Sequence, residues 1–318
     1  MQILKPSATV AMSARALAKI AAGERVYNLS AGEPMVDVHP SIAEATMKAV
    51  RDGKTHYPPV KGIPELREAL SLWMNTSYGS IFSQDDVLVT CGGKFGIYAS
   101  CQALLGPGDE AIVISPYWVS YPGIVSMFGG VPVIVQTTEE DGWKVDSMKL
   151  EKAITSKTKL LFFNNASNPT GVLYSRLEVE AVLSMANTHG LTVISDEVYS
   201  GLVYDGGEFV SCSSFPEYRE DVIVIQSCSK HFAMTGFRVG FVAAREEIID
   251  MLTIIQSQST TGTSSISQWA ALAAFQHADA AISSVRTEMQ GRRDVLVSEL
   301  SRAFEFTCSK SGSGLYLF

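Results

Sequence analysis

Four short stretches of this chain carry reactive side chains, and each follows an apolar run. After 87–90 (VLVT) come Cys91-Gly92-Gly93-Lys94, and after 159–163 (KLLFF) comes a turn containing Asn168-Pro169-Thr170-Gly171. After 191–195 (LTVIS) come Asp196-Glu197-Val198-Tyr199. After 222–226 (VIVIQ) come Ser227-Cys228-Ser229-Lys230, with Arg238 eight residues beyond the lysine. Two glycines opening a helix offer backbone N–H groups to a phosphate. Ser227, Ser229 and Arg238 add hydroxyl donors and a positive charge. The Lys230 amine can condense with an aldehyde, and the Asp196 carboxylate can hold a protonated ring nitrogen. Together they suit a phosphorylated, cationic heteroaromatic ligand.

Taken singly, each feature has a plainer reading. A Gly-Gly pair before a helix is ordinarily a turn, and Asp196 after a strand can be a helix cap. Asn168-Pro169-Thr170-Gly171 is a good turn by composition alone. Arg238 could be a structural ion pair, and Trp118 and Tyr199 could be core aromatics. Their order along the chain gives them weight.

That order requires elements that bring the stretches to one edge. From about 87 to 245 the chain alternates short apolar runs with amphipathic ones. The remaining runs are 111–115 (AIVIS), 131–135 (VPVIV) and 237–243 (FRVGFVA). Consecutive Val and Ile residues suit strands buried on both faces, as in a mainly parallel sheet. Segment 175–189 reads as a helix with Ser175 as its cap and Gly190 as its stop, and 94–105 as a helix ended by Gly106-Pro107-Gly108-Asp109. The fold class is therefore α/β, with helices on both faces of a mainly parallel sheet. In open sheets of this kind ligands sit beyond the carboxyl ends of the strands, where all four stretches fall. Residues 41–280 are assigned to this large domain. Residues 1–40 and 281–318 are assigned to a smaller, incomplete α+β domain, with a surface helix over 11–20.

Composition narrows the partners. With 46% hydrophobic and 18% charged residues the chain is globular rather than disordered. A net charge of −8, with no basic run, excludes nucleic acid and anionic membranes as expected partners. No apolar run is long enough to span a bilayer. The five cysteines show no CxxC spacing and the five histidines no zinc-type pairing. Reduced thiols, a cytoplasmic location and no metal site are expected.

Residues 227–240 (SCSKHFAMTGFRVG) resemble the lysine signature of the class I, fold type I pyridoxal-phosphate aminotransferases. Asn168-Pro169-Thr170-Gly171 and Asp196-Glu197-Val198-Tyr199 match the family's other two landmarks, in order. The likeness extends to 5–10 (KPSATV), 29–34 (LSAGEP), 62–67 (GIPELR), 115–122 (SPYWVSYP) and 257–259 (SQS). These stretches resemble bacterial and plastid-type aspartate or prephenate aminotransferases.

The resemblance implies roles residue by residue. Lys230 would hold pyridoxal 5'-phosphate and move the substrate proton, and Asp196 would keep the pyridine nitrogen protonated. Asn168 and Tyr199 would bind the ring hydroxyl, and Trp118 would stack on the ring. Gly93, Lys94, Ser227, Ser229 and Arg238 would bind the phosphate. Tyr57 would reach the phosphate of a neighbouring subunit, which implies a homodimer. Gly32 and Asn168 would help bind the substrate carboxylate, and Lys94 and Thr9 its distal carboxylate. The implied reaction is ping-pong amino transfer between an L-amino acid, aspartate or glutamate, and a 2-oxo acid.

Two departures qualify this. Met35-Val36 replace the acidic–aromatic pair that usually follows Gly-Glu-Pro in the family. The family also continues past the equivalent of Gly314-Leu315-Tyr316-Leu317-Phe318 with a helix–strand stretch bearing the arginine for the substrate α-carboxylate. No residue up to Phe318 can be assigned that role, so a C-terminally truncated, weakly active chain is expected. Prephenate, aromatic or kynurenine aminotransferases, a lyase on the same fold and a non-catalytic cofactor-binding remnant remain open as alternatives.

Overall fold

A computed structural model of the chain describes residues 8–29, 32–303 and 309–318. Eleven α-helices occur among the described residues: α1 Ala8–Ala21, α2 Pro40–Arg51, α3 Pro64–Tyr78, α4 Gly93–Leu104, α5 Ser120–Met127, α6 Ser147–Glu151, α7 Arg176–Thr188, α8 Cys228–His231, α9 Glu246–Ser257, α10 Ser265–Gln276 and α11 Ala278–Ala303. The strands are β1 Val87–Thr90, β2 Glu110–Ser115, β3 Val131–Gln136, β4 Thr158–Asn164, β5 Thr192–Asp196, β6 Val222–Ser227 and β7 Gly240–Ala243. They form one seven-stranded sheet in the order β1-β7-β6-β5-β4-β2-β3. The pairs from β6 to β3 are parallel; β7 runs antiparallel to both β6 and β1.

Both faces of the sheet are covered, as uninterrupted apolar strands require. Successive strand residues alternate between two cores, following the two-residue period of a strand. Val193, Val224 and Phe241 pack with residues of α3, α7 and α10 on one face. Ile194, Ile225 and Val242 pack with residues of α4, α5 and α9 on the other. A third cluster lies beyond the strand ends, where Tyr199, Leu202 and Tyr204 meet Val285 and Met289 of α11.

Local chemistry sets the helix ends. α7 begins with a capping box, Ser175 accepting from the Glu178 N–H and Glu178 accepting from the Ser175 N–H, and stops before Gly190 at φ 64°. The apolar run 237–243 is not a strand throughout. Residues 235–237 form a 3-10 turn and Arg238 takes a left-handed backbone at φ 55°, so β7 begins only at Gly240. Hydrophobicity alone could not mark that break, because Phe237 and Val239 flank Arg238 with apolar side chains that read as part of the strand.

Candidate active site

The carboxyl ends of β1, β4, β5 and β6 open on a cavity of about 570 Å³. Gly32, Gly93, Lys94, Trp118, Asn168, Asp196, Tyr199, Ser227, Ser229, Lys230 and Arg238 all line it. Two further residues stand outside this set, and one chain's cavity alone decides neither. Tyr57 is 91% exposed and lines a separate hollow with Thr260–Ile266. Thr9 lies in α1, and its side chain falls outside the described residues.

The cationic end is built where β1 and β6 finish. Gly92 adopts φ 84°, and a Cβ there would lie 2.6 Å from Nη2 of Arg238, so only glycine admits the guanidinium this close. α4 starts at the next residue, and its free N–H groups face the cavity end. The Ser229 N–H donates to Ser227 Oγ at 3.2 Å, and the two hydroxyls lie 2.9 Å apart. Arg238 is held by a bond from Nη1 to the Thr235 carbonyl at 2.9 Å.

Asp196 ends β5 and is buried. The Tyr121 hydroxyl donates to its Oδ2 at 2.6 Å, and the Val198 N–H lies 3.3 Å from its Oδ1. Burial pushes this carboxyl up to about 6, against the pull of Tyr121, Val198 and Lys230. The carboxylate is thus short of positive charge and would ionise fully beside a cation. Burial likewise lowers the Lys230 amine; Glu33 opposes this and Arg238 reinforces it. A lowered amine pKa enlarges the fraction of free base able to attack a carbonyl carbon.

Lys230 Nζ donates to the Gly32 carbonyl and stands 5.9 Å from the centre of the Tyr199 ring. Asn168 Nδ2 is 3.5 Å from the Tyr199 hydroxyl, and the Asn168 N–H donates to Asn164 Oδ1 at 2.7 Å. Lys94 Nζ lies 4.7 Å above the centre of the Trp118 ring. Burial and the Arg238 charge lower the Lys94 amine.

Tyr121, Asn164 and Tyr316 are among the cavity residues to which sequence reasoning assigned no role. Tyr121 lies within 115–122 and Asn164 directly after the 159–163 run, but neither carries chemistry by spacing alone; only the fold brings Tyr121 from α5 to Asp196. Tyr316 is further from legible: it reaches the cavity from the chain's last described segment and crosses Gly32 so closely that a Cβ there would lie 1.7 Å from its hydroxyl.

The donor set suits a flat ligand that is anionic at one end and cationic at the other, with an electrophilic carbon within reach of an amine. Pyridoxal phosphate has that chemistry: the N–H groups opening α4 with Ser227, Ser229 and Arg238 suit its phosphate, and the buried Asp196 carboxylate suits its ring nitrogen.

Residues 24–318 match the family model described as aminotransferase class I and II. The probable aspartate/prephenate aminotransferase of Thermus aquaticus is 41% identical over 302 residues, covering 94% of this chain and 78% of the relative. The aspartate aminotransferase of Geobacillus stearothermophilus is 37% identical, covering 99% of this chain and 80% of that protein. The solved aspartate aminotransferase from Thermus thermophilus with maleate superposes with a TM-score of 0.94 at 39% identity, over 98% of this chain and 82% of that one. With a family match along nearly its whole length and relatives well above 30% identity, this chain belongs to the class I and II aminotransferases.

Proposed function

We propose that the chain moves an amino group between a dicarboxylic L-amino acid, aspartate or glutamate, and a 2-oxo acid, using pyridoxal 5'-phosphate carried on Lys230. The observation that carries this reading is a single cavity holding an amine of lowered basicity, a buried carboxylate without a cation, and a cluster of anion donors. When bound, pyridoxal phosphate supplies an aldehyde for the amine and a protonated ring that accepts electron density from the substrate Cα.

The chain's own residues do the rest. Asp196 holds the proton on the ring nitrogen, and Tyr121 fixes the carboxylate through its 2.6 Å bond. Asn168 and Tyr199 bind the ring hydroxyl, and Trp118 covers one ring face. The N–H groups of Gly93 and Lys94, with Ser227, Ser229 and Arg238, hold the phosphate. The Lys230 amine would serve as the base that takes the substrate Cα proton and the acid that delivers it on the cofactor side. Gly32 and Asn168 contact the substrate carboxylate, and Lys94 the distal one. The named activities of the relatives favour aspartate, with prephenate as the second substrate reading.

The remaining features of the proposal are a homodimer, supported by Tyr57 standing exposed away from its own chain's cavity, and a division into a large domain over 41–280 with 1–40 and 281–318 as a smaller one. A cytoplasmic setting is supported by four free cysteines among the described residues. No described helix is long and apolar enough to cross a membrane.

The test is to add L-aspartate alone to the cofactor-loaded chain. An aminotransferase stalls after one half-turnover, with a single shift of the cofactor's visible band. Continuous product formation would mean a lyase, and no spectral response to aspartate, glutamate or prephenate-derived amino acid would reject the reading.

A further inference from the structure

Asp196 and Glu197 are adjacent acids on opposite faces of the sheet. Ile194 and Asp196 face the α4 side with the cavity, whereas Val193 and Ser195 face the α7 side. Glu197 continues the second series. Its N–H bonds the Ile225 carbonyl at 2.9 Å, extending the β5–β6 ladder by one rung. Its side chain is fully buried.

The Glu197 carboxyl is saturated with donors from three segments. Ser195 Oγ donates to it at 2.9 Å, Ser211 Oγ at 2.8 Å, the Cys212 N–H at 2.9 Å and Gln226 Nε2 at 3.5 Å. All of these partners are neutral. A buried acid held only by neutral groups is costly compared with an apolar residue of the same size, so stability alone gives no reason for it. Burial pushes the group up to about 7, despite Ser211, Cys212 and Ser195, and the Asp196 charge adds to the rise. Of the other titratable groups around it, Tyr78 and Cys212 are both raised, burial being the larger cause and the Glu197 charge a further one.

The turn that Glu197 begins carries the groups the cavity needs. The Ser200 N–H closes it on the Glu197 carbonyl at 3.0 Å. Within it lie Val198, whose N–H meets Asp196 Oδ1, and Tyr199. We infer that Glu197 is a positioning residue for Asp196: bound from behind the sheet to the 211–212 loop and to β6, it locks the turn that orients the Asp196 carboxylate toward the cavity. Displacing such a carboxylate by a fraction of an ångström weakens every interaction aimed through it.

This rests on the reading that Asp196 receives the cofactor's ring nitrogen. The wild-type titration separates the two ideas, because a wild-type chain that binds no pyridoxal phosphate defeats that reading rather than the role of Glu197. The experiment is a double-mutant cycle read as the dissociation constant of pyridoxal phosphate, by equilibrium dialysis at fixed pH. Glu197→Gln keeps the side-chain shape but not its full acceptor set. It is made in the parent chain and in the Asp196→Asn chain. Coupled residues show interaction well above that of distant ones, so Glu197→Gln should weaken binding about tenfold in the parent and less than about twofold when Asp196 is already replaced. The visible band of the bound cofactor should shift toward the unprotonated ring only in the first case. Equal losses in both backgrounds, or none in either, would overturn the inference and leave Glu197 a structural acid. Should Glu197→Gln not fold, Ser211→Ala removes one of its donors and runs through the same cycle.

Discussion

The rim of the sheet and the wall facing it are built by different means. Gly93, Asp196, Ser227 and Lys230 end or follow buried strands of one sheet, β5 and β6 paired on both sides and β1 paired with β7 at the edge. Their positions are set by the hydrogen-bond ladder, which moves as one body. The opposite wall comes from α1, from the extended segment at Gly32 and Glu33, and from Tyr316. It is fixed by individual long-range bonds: Lys230 to the Gly32 carbonyl, Thr235 to Glu33, and Arg292 to the Met35 carbonyl at 3.0 Å. Tyr316 is anchored by the Tyr204 hydroxyl on the Gly314 carbonyl at 2.5 Å and by Ser313 Oγ on the Gly171 carbonyl at 2.8 Å. A cofactor that stays through many turnovers suits the first kind of wall, and a substrate that must enter and leave suits the second.

The largest effect should come from the rim. Lys230→Ala removes both the attachment point and the proton carrier, so the visible absorbance of the loaded chain should vanish. Turnover should fall by about 10²–10⁴-fold or more, the usual scale for losing a positioned acid–base group. Borohydride reduction followed by peptide mapping checks the assignment: a pyridoxyl label on a lysine other than Lys230 would remove the rim from the chemistry.

A second test asks whether one chain completes the cavity alone. Tyr57 stands outside it, on a segment whose Pro58-Pro59 sequence favours extended backbone. If Tyr57 serves a neighbour's site, inactive Tyr57→Ala and Lys230→Ala chains should complement when mixed. Random exchange between two-fold symmetric dimers gives about a quarter of wild-type activity, because half of the dimers are hybrids with one intact site. No recovery after proven subunit exchange would return both walls to a single chain.

The facing wall should give a smaller and different response. Tyr316→Phe removes one hydroxyl beside Tyr199 and Gly32 but leaves the packing, so the loss should be near one hydrogen bond, about 0.5–1.5 kcal/mol. It should fall on the KM for the amino acid, with cofactor affinity unchanged. A drop in cofactor affinity equal to that of a rim variant would erase the distinction between the walls.

The same difference decides how much of the site was legible in the sequence. The rim could be read because a buried parallel strand is a run of Val, Ile and Leu, and the residues after each run must lie at the carboxyl edge. Gly93, Asp196 and Lys230 were found this way. Tyr121 was not, because its approach to Asp196 depends on how α5 packs, and a tyrosine in a helix looks the same whether or not it meets a carboxylate. Tyr316 was hidden more deeply, since its place depends on α11 and the Val203–Ser313 bridge carrying the last segment back across residues 202–204. Arg238 was found by its spacing, but its left-handed backbone was masked by apolar neighbours.

The smallest effect concerns the fold without its cofactor. Asp196 is raised to about 6 from an ordinary value of 3.8, chiefly by burial. A carboxyl raised on folding binds protons more tightly in the native state than in the unfolded one. Its ionised form therefore destabilises the empty fold above about pH 6, and the penalty is relieved as pH falls from there toward 4. Asp196→Asn has no such penalty, and its amide oxygen can still accept from Tyr121. The cofactor-free variant should melt higher than the cofactor-free wild type at pH 8, and the gap should narrow as pH falls through 6 to about 4. His231 titrates in the opposite sense, since burial lowers it to about 3, and cancels between the two proteins; the difference reports Asp196 together with the part of the Glu197 rise that the Asp196 charge causes, which has the same sign. Added pyridoxal phosphate should reverse the order at pH 8, because a bound cation turns the buried charge from a cost into a contact. A melting difference that ignores pH would mean that Asp196 is solvated in the empty chain, and that the rim is no more rigidly prepared for its ligand than the wall across from it.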